Sequence, residues 1–375
     1  MKPVLIIARS ARALAVLAER AGHEVHVLDA FNDEDTQAVA RSCKRLDYFD
    51  GGFDSEQLHN AVQECVSENK DLLIVTGSGF EERLEQIAQL ATVAPLLSND
   101  TETIKKFNKP LQLIEYIEVN YLEFPLSFKI SPSPDRAYLI KKAATSGGES
   151  VHWWDGVSTL EGTEYYFQAY IPGEVLSCVF LADGQRAEIV GFNRQRQNQQ
   201  FEDRPFLYAG AITLNTLPES QYKVVNKFIN MLTQKTGLKG LCGLDFIRDE
   251  NGVLTVLEIN PRPPATVELH DRDGELFSAH VSSFSQPLQK QANRSSVPGC
   301  RGHAILYADR QLTINAGMNW PEWVSDCPVA GSTLSKQSPV CSVFAEADEP
   351  DMVEQILEER LRQIESEIIR MQNAA

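Results

Sequence analysis

Residues 244–263 read LDFIRDENGVLTVLEINPRP, the stretch from which the fold is best approached. Asn251-Gly252 stands between two apolar runs, the signal of a two-residue type I′ hairpin turn. With that turn, Glu250 lies opposite Val253, and stepping inward brings Asp245 opposite Glu258. Asn260 follows Glu258 by two residues and points to the same face of the strand. A four-residue turn would move the register but keep all three on one face. Two carboxylates and an amide oxygen are thereby gathered. Directly opposed like charges destabilise a sheet, and Leu244, Phe246, Leu254, Val256, Leu257 and Ile259 indicate that both faces are largely covered. Crowded acids of like sign need a cation. Hard oxygen donors suit Mg2+ or Mn2+ and leave places for waters and phosphate oxygens. Arg262 adds positive charge where an anionic substrate or intermediate would lie. The plain alternative is an exposed hairpin with scattered acids and a structural arginine.

Two other stretches bear on this. Residues 139–150, LIKKAATSGGES, deliver Lys141 from a strand and follow it with Gly147-Gly148 in a Ser/Thr-rich loop. A lysine on a rigid strand neutralises phosphate charge, and glycines let backbone N–H groups approach phosphate oxygens. The order excludes a P-loop, where the lysine follows the glycines. Alone, the pattern also suits a solvated turn. Residues 167–177, FQAYIPGEVLS, run as a strand through Gln168 to Ile171 and turn at Pro172-Gly173 before Glu174. Extended backbone there would present N–H and C=O groups to an adenine edge, and Glu174 would accept from ribose hydroxyls; in isolation this is a turn with an exposed acid.

Taken in order, IKKAATSGG, QAYIPGE, LDF and LEINPRP resemble the ATP-grasp superfamily of carboxylate–amine ligases. Ser98-Asn99 with Asn108-Lys109 resembles that family's linker before its small lobe. The resemblance implies an α/β chain with the ATP-grasp fold: an N-terminal Rossmann-like (pre-ATP-grasp) domain over 1–100, a small lid lobe with its linker over 101–172, and a large mixed-sheet lobe with a C-terminal extension over 173–375. It further implies that Lys141 and Lys109 hold phosphates and that the Gly147-Gly148 loop closes over them. The Gln168 strand, with the backbone near Tyr170 and Ile171, reads adenine, and Glu174 the ribose. Asp245, Glu258 and Asn260 hold Mg2+, and Arg262 steadies an acyl-phosphate. Two positions depart from the pattern: Gln168 stands where many relatives have Glu, and Lys142 where a Pro often follows the lysine. The segments GHAILYA (302–308) and SPVCSVFAEA (338–347) resemble a branch associated with one-carbon cofactor synthesis in methylotrophs and methanogens, similar to the tyramine–glutamate ligase of methanofuran synthesis and tied also to tetrahydromethanopterin.

The remainder of the chain agrees with such an architecture. Val4-Leu5-Ile6-Ile7-Ala8 reads as a buried parallel strand, followed by a helix through Glu19 with Ser10 as a cap and Gly22 as a stop. Glu24–Asp29 and Asp71–Val75 read as further strands, the first ending in an acid and the second leading into Thr76-Gly77-Ser78-Gly79-Phe80. Strand, helix, strand at this spacing predicts a parallel sheet. TGSGF lacks the third glycine of G-x-G-x-x-G, so a dinucleotide, a small ligand and a purely steric turn all remain readings of it. Further strands are predicted near Ser127–Ile130, Tyr138–Lys141, Tyr165–Gln168, Leu176–Phe180 and His303–Tyr307, with helices over Thr101–Tyr121 and Gln221–Thr236. A last amphipathic helix carries Val353, Ile356, Leu357, Leu361, Ile364 and Ile368 at helical spacing.

The 375 residues suggest two or three folding units at about 150 residues each. With 43% hydrophobic residues, ordinary cores are within reach. A formal charge of −17 repels polyphosphate backbones and excludes general nucleic-acid coating, though not a nucleotide substrate. Nothing approaches about 18 uninterrupted apolar residues, so no membrane span is expected. Arg9 and Arg12 break the first apolar run and no cleavage pattern follows it. Seven cysteines, far apart and odd in number, read as reduced thiols and point to the cytoplasm.

These readings converge on an ATP-dependent ligase. A carboxylate is a poor acylating agent because oxide would have to leave; phosphoryl transfer makes an acyl-phosphate that an amine attacks, giving ADP and phosphate. The expected partners are a small-molecule carboxylate and an amine, with a homodimer implied by resemblance. Arg9, Arg12, Ser78 and Glu81 are candidates for contact with them. The seven histidines show no metal or triad spacing and read as structural, with His270 and His280 near the site in sequence. The rival readings are a non-catalytic nucleotide-binding regulatory subunit and a bicarbonate-using carboxylase.

Overall fold

The computed structural model describes residues 2–108, 122–160, 162, 164–288 and 299–373. The first sheet is parallel throughout: β1 (Pro3–Ala8), β2 (Glu24–Asp29), β3 (Ser42–Arg45) and β6 (Leu73–Thr76), in the order β3-β2-β1-β6. Its central strand is an unbroken apolar run because both faces are covered. Val4 and Ile6 pack with Leu14 and Leu17 of α1 (Arg12–Arg20). Leu5 and Ile7 pack with Leu58 and Val62 of α3 (Ser55–Glu68) and with Ile87 and Leu90 of α4 (Leu84–Val93). Between these run α2 (Glu34–Val39) and a short ribbon, β4 (Tyr48–Phe49) with β5 (Gly52–Phe53).

Two local expectations need correction. Ser10 does not cap α1; Ala11 is the cap residue, and its N–H donates to Asp29 Oδ2 at 3.4 Å. Asp29 also accepts from Phe31 and Asn32 through Oδ1, so the acid ending β2 ties together the loops above the sheet. Gly22 does stop the helix, in the left-handed region at φ +79°.

Within Thr101–Tyr121 the described residues hold one turn of helix, α5 (Thr101–Lys105), capped by Asp100; residues 109–121 lie outside the description. A small antiparallel sheet follows, with β7 (Ser127–Phe128), β8 (Tyr138–Lys142), β9 (Val151–Trp153) and β10 (Tyr165–Ala169) in the order β7-β10-β8-β9.

The large sheet has eight strands: β11 (Glu174–Asp183), β12 (Ala187–Gln197), β13 (Tyr208–Leu214), β14 (Lys239–Arg248), β15 (Leu254–Asn260), β16 (Cys300–Tyr307), β18 (Val324–Ser325) and β20 (Pro339–Ala347). Their order is β15-β14-β11-β12-β13-β16-β20-β18, and every pairing is antiparallel rather than mixed as expected. A two-strand ribbon, β17 (Leu312–Thr313) with β19 (Thr333–Leu334), lies apart from it. One face buries Leu176, Cys178 and Phe180 against Val225, Phe228 and Leu232 of α6 (Glu219–Thr236). On the other, Val179, Leu181 and Leu241 share a core with α1 and with Leu276 and Phe277 of α7 (Glu275–Ser283). The segment after residue 299 continues the sheet through β16 and β20. There α8 (Pro350–Asn373) buries Val353, Leu357, Ile364 and Ile368, with Ile356 and Leu361 half-buried beside them. Among the described residues no helix is long and apolar enough to cross a membrane.

Candidate functional site

The β14–β15 hairpin brings the acids together by a route the sequence does not announce. The turn is longer than two residues: Asp249 N–H donates to Val253 O, Gly252 N–H to Asp249 O, and Asp249 Oδ1 accepts from Asn251 and Val253. Arg248 therefore pairs with Leu254 and Phe246 with Val256, one residue off the predicted register. The register then shifts between Asp245 and Phe246, leaving Leu257 as an extra residue, and Asp245 faces Glu258 after all. Outside this bulge the carbonyl of Glu123 accepts the Val256 N–H at 2.8 Å, so the edge strand has an outer neighbour there. Bulges commonly re-aim side chains beside active sites. Asn260 Nδ2 donates to Asp245 Oδ2 at 3.3 Å.

From this pair a polar row runs across the sheet. Asp245 is opposite Ser177 on β11, and Ser177 is opposite Asn193 on β12. Asn193 donates to Ser177 Oγ at 3.1 Å and accepts from His270 Nε2 at 2.9 Å. The His270 ring lies over Gly191, where any Cβ would collide with it. Ser177 and Asn193 escaped the sequence reading because only strand pairing places them beside Asp245.

Lys141 enters from the small sheet. Opposite it on β10 is Tyr166; Gln168, two residues on, shares that face and is buried. Tyr166 was also missed, although the alternation in Tyr165–Ala169 put it on the lysine's face. Desolvation pulls the Lys141 ammonium below its ordinary value, against the charges of Glu258 and Asp245. Burial, reinforced by Glu258, pushes the Asp245 carboxyl up, with Arg262 and Lys141 opposing. Glu258 also rises through crowding by protein, though its side chain still reaches the solvent of the cleft. Each acid is costly to ionise beside the other.

Arg262 lies just beyond β15, its Nε donating to Glu81 Oε1 at 2.6 Å. Burial would raise Glu81, but the Arg262 charge and bond hold its carboxyl below the ordinary value. Glu81 Oε2 accepts from the N–H groups of Gly79 and Phe80 at 2.7 and 2.9 Å. The glycines of TGSGF thus have packing reasons. A Cβ on Gly77 would lie 2.7 Å from that of Ala8, and Gly79 stands at φ +108° against Arg9 and Tyr48.

The Gly147-Gly148 loop is folded onto the large sheet. Both residues have φ +71°; a Cβ on Gly148 would collide with the Phe206 carbonyl, whereas around Gly147 the space is open. Tyr208 N–H donates to Gly147 O at 2.9 Å. Two ion pairs join the loop's flanks to the first sheet's loops: Arg9 with Glu149 at 2.8 Å, and Glu82 with Lys142. Trp153, Tyr170 and Phe206 gather at the lobe junction, with Trp153 ring centroids 4.7 Å from Tyr170 and 5.2 Å from Phe206.

The linker corrects another expectation. The strand ends at Ala169 rather than Ile171, and the Tyr170 N–H is committed to Ala137 O at 3.0 Å. Glu174 is paired with Arg248 across β11–β14. Lys109 lies outside the described residues.

Arg12 is not in the cleft. It is buried, with Nη2 on Glu268 Oε1 at 2.6 Å and Nε on Asp326 Oδ1 at 3.0 Å. Ser78 uses its carbonyl to accept the Arg9 N–H at 2.7 Å. His280 accepts from Leu241 N–H through Nδ1 and reaches Leu97 O through Nε2, a structural clasp. Burial lowers both His270 and His280 to about 4, so both are neutral near pH 7.

Residues 108–266, which span the lysine strand, the linker, the acid pair and Arg262, match the family model of the ATP-grasp domain. The chain carries an ATP-grasp domain. Its fold extends past those residues. L-amino acid ligase from Bacillus licheniformis superposes with a TM-score of 0.68 at 13% identity, covering 97% of each chain. N5-carboxyaminoimidazole synthetase from Staphylococcus aureus gives 0.66 at 15% identity, over 96% of this chain and 97% of that one. Biotin carboxylase from Campylobacter jejuni gives 0.69 at 12%, over 94% and 89%. At such identities the likeness is one of fold. No curated protein sequence matches the chain.

Proposed function

We propose that the chain is an ATP-dependent carboxylate–amine ligase, forming an amide bond on a small metabolite through an acyl-phosphate and releasing ADP and phosphate. The observation that carries this reading is the convergence of Asp245, Glu258 and Asn260 on one face, with Lys141 above and Arg262 at the end of the same strand. In the working arrangement, residues 1–100 offer the substrate side, 101–172 the lid, and 173–375 the floor. The L-amino acid ligase among the structures of like fold supports the reaction class.

Two carboxylates and an amide oxygen, crowded enough to resist ionising together, fit a small hard cation. Asp245, Glu258 and Asn260 would hold Mg2+, which would supply positive charge to offset that of the phosphates. Lys141 would neutralise phosphate charge, and the Gly147-Gly148 loop would offer N–H groups from above. The Tyr170 carbonyl and the Ile171 peptide would meet the adenine edge beside buried Gln168. Glu174, oriented by Arg248, would accept from the ribose. Arg262 would hold substrate oxygens as negative charge develops on them. The amine then attacks the acyl carbon and phosphate leaves. The free thiols of all seven cysteines suit a reducing, cytoplasmic setting.

A second reading, a carboxylase using carboxy-phosphate, is favoured by the likeness to N5-carboxyaminoimidazole synthetase and biotin carboxylase. One assay separates the readings: ADP release with Mg-ATP against carboxylates, bicarbonate included, each with and without glutamate, tyramine or tyrosine. Release that needs one carboxylate and one amine is expected. A response to tyramine or glutamate would extend the reading to one-carbon cofactor synthesis, bicarbonate dependence would replace the ligase by the carboxylase, and ATP binding without turnover would favour a regulatory subunit.

A further inference from the structure

The sequence offers Ser78 and Glu81 of the TGSGFEE segment (residues 76–82) for substrate contact, but the structure turns the Glu81 carboxylate onto Arg262. We propose that Glu81 is a positioning residue that holds Arg262 ready for the oxyanion of the activated substrate. The proposal rests on the ligase reading for what Arg262 receives.

Every contact of the Glu81 carboxylate serves this end. Oε1 takes Nε of Arg262, and among the described residues the guanidinium's terminal nitrogens donate to nothing else, so they stay available for substrate oxygens. Oε2 is fixed by two successive backbone N–H groups, and the Glu81 carbonyl accepts from Asn108 Nδ2 at 2.7 Å. The loop beneath is held by the close packing of Gly77 and Gly79 against the end of β1. The pair is well sheltered, with side chains only 16% and 18% exposed.

An anion beside an anion receptor looks counterproductive until the alternatives for Arg262 are counted. The charges of Glu258 and Asp245 also act on Arg262. Released, a flexible arginine next to two carboxylates would fold back onto them, filling the place of a cation and removing itself from the substrate. Glu81 competes for the guanidinium by its Nε edge alone. It therefore keeps the arginine off the acids and meets in advance the entropic cost of ordering a long side chain. Preorganised donors of this kind act mainly on developing charge.

The test is calorimetric titration of inorganic phosphate into the full chain in the presence of Mg-ADP, for wild type, Glu81→Gln, Arg262→Lys and the double variant. Glu81→Gln should weaken phosphate binding about tenfold, as expected for loss of a charge-assisted contact that orders the receptor. Mg-ADP affinity should stay within about twofold, and the double variant should bind phosphate no worse than Arg262→Lys alone, as for residues acting through one another. Wild-type phosphate affinity in Glu81→Gln, full additivity with Arg262→Lys, or a parallel loss of Mg-ADP affinity would overturn the proposal. So would absence of phosphate binding by the wild type. Because the readout needs no turnover, the expected pattern combined with no carboxylate-dependent ADP release would strike the ligase reading alone.

Discussion

Asp245 and Glu258 stand opposite one another where like charges cost stability, and that cost makes them informative. Replacing Glu258 by Gln removes the repulsion while keeping the shape. The variant is expected to melt at or above the wild-type temperature and to lose ADP release. Asn260→Ala should lose turnover likewise with its fold intact by circular dichroism; full turnover by both variants would remove the metal-site assignment. Their shared face was legible in the sequence because side chains alternate along strands, and alternation survives most errors in the turn. Partners separated by many residues were not. The Arg262–Glu81 bond spans 181 positions, and nothing near either residue names the other. Arg12 shows the same limit from the opposite side: a basic residue near the cleft in sequence proved to be a neutralised, buried one.

At the scale of elements, strands and helices followed from apolar runs and periodicity, and their ends shifted by a few residues. The β14–β15 hairpin is the exception that teaches. Its turn differs from the predicted one, and the bulge at Leu257 returns the acids to the predicted pairing. Beside the bulge a carbonyl from Glu123, far outside the hairpin, takes the Val256 N–H, a partner that no local pattern announces. The lid loop offers a sharper test, because its two glycines share a backbone conformation and differ in surroundings. Both substitutions to Ala carry the cost of a left-handed φ, roughly 1 kcal/mol. Only Gly148→Ala also meets the Phe206 carbonyl. The KM for ATP should therefore rise several-fold more in Gly148→Ala than in Gly147→Ala; equal effects would mean that contact with Phe206 is immaterial to closure.

The whole molecule is joined by a contact that no local pattern announces. Asp35 accepts the N–H groups of Asp326 and Cys327 at 2.9 and 3.0 Å, and Cys327 O accepts from Glu34 at 2.8 Å, fastening α2 to the segment around β18. Beside it Asp33 is buried, and burial with the nearby charges of Asp326, Asp29 and Asp35 lifts its carboxyl to about 8. A carboxyl raised above its unfolded value stabilises the fold while protonated. That contribution is complete below about pH 4 and is lost as the pH climbs toward 8. Asp33→Asn, which keeps a competent helix cap, should leave the melting temperature unchanged near pH 4 and raise it by about 3 °C or more at pH 9. A gain that does not depend on pH would show that Asp33 is charged throughout.

The placement of Arg12 also bears on how the chain reaches this shape. The first sheet is built from local strand–helix–strand units, so it can begin to form while the ribosome is still elongating the chain. Yet Arg12, on its first helix, finds its carboxylate partners 256 and 314 residues downstream, in Glu268 and Asp326. Until those residues have been made, the guanidinium on the face this helix must bury has Asp35 of the same layer, 3.8 Å from its Nε in the finished fold, and lacks its two closer carboxylates. The parallel layer is thus made well before the residues that complete its docking, and its final locking waits on them.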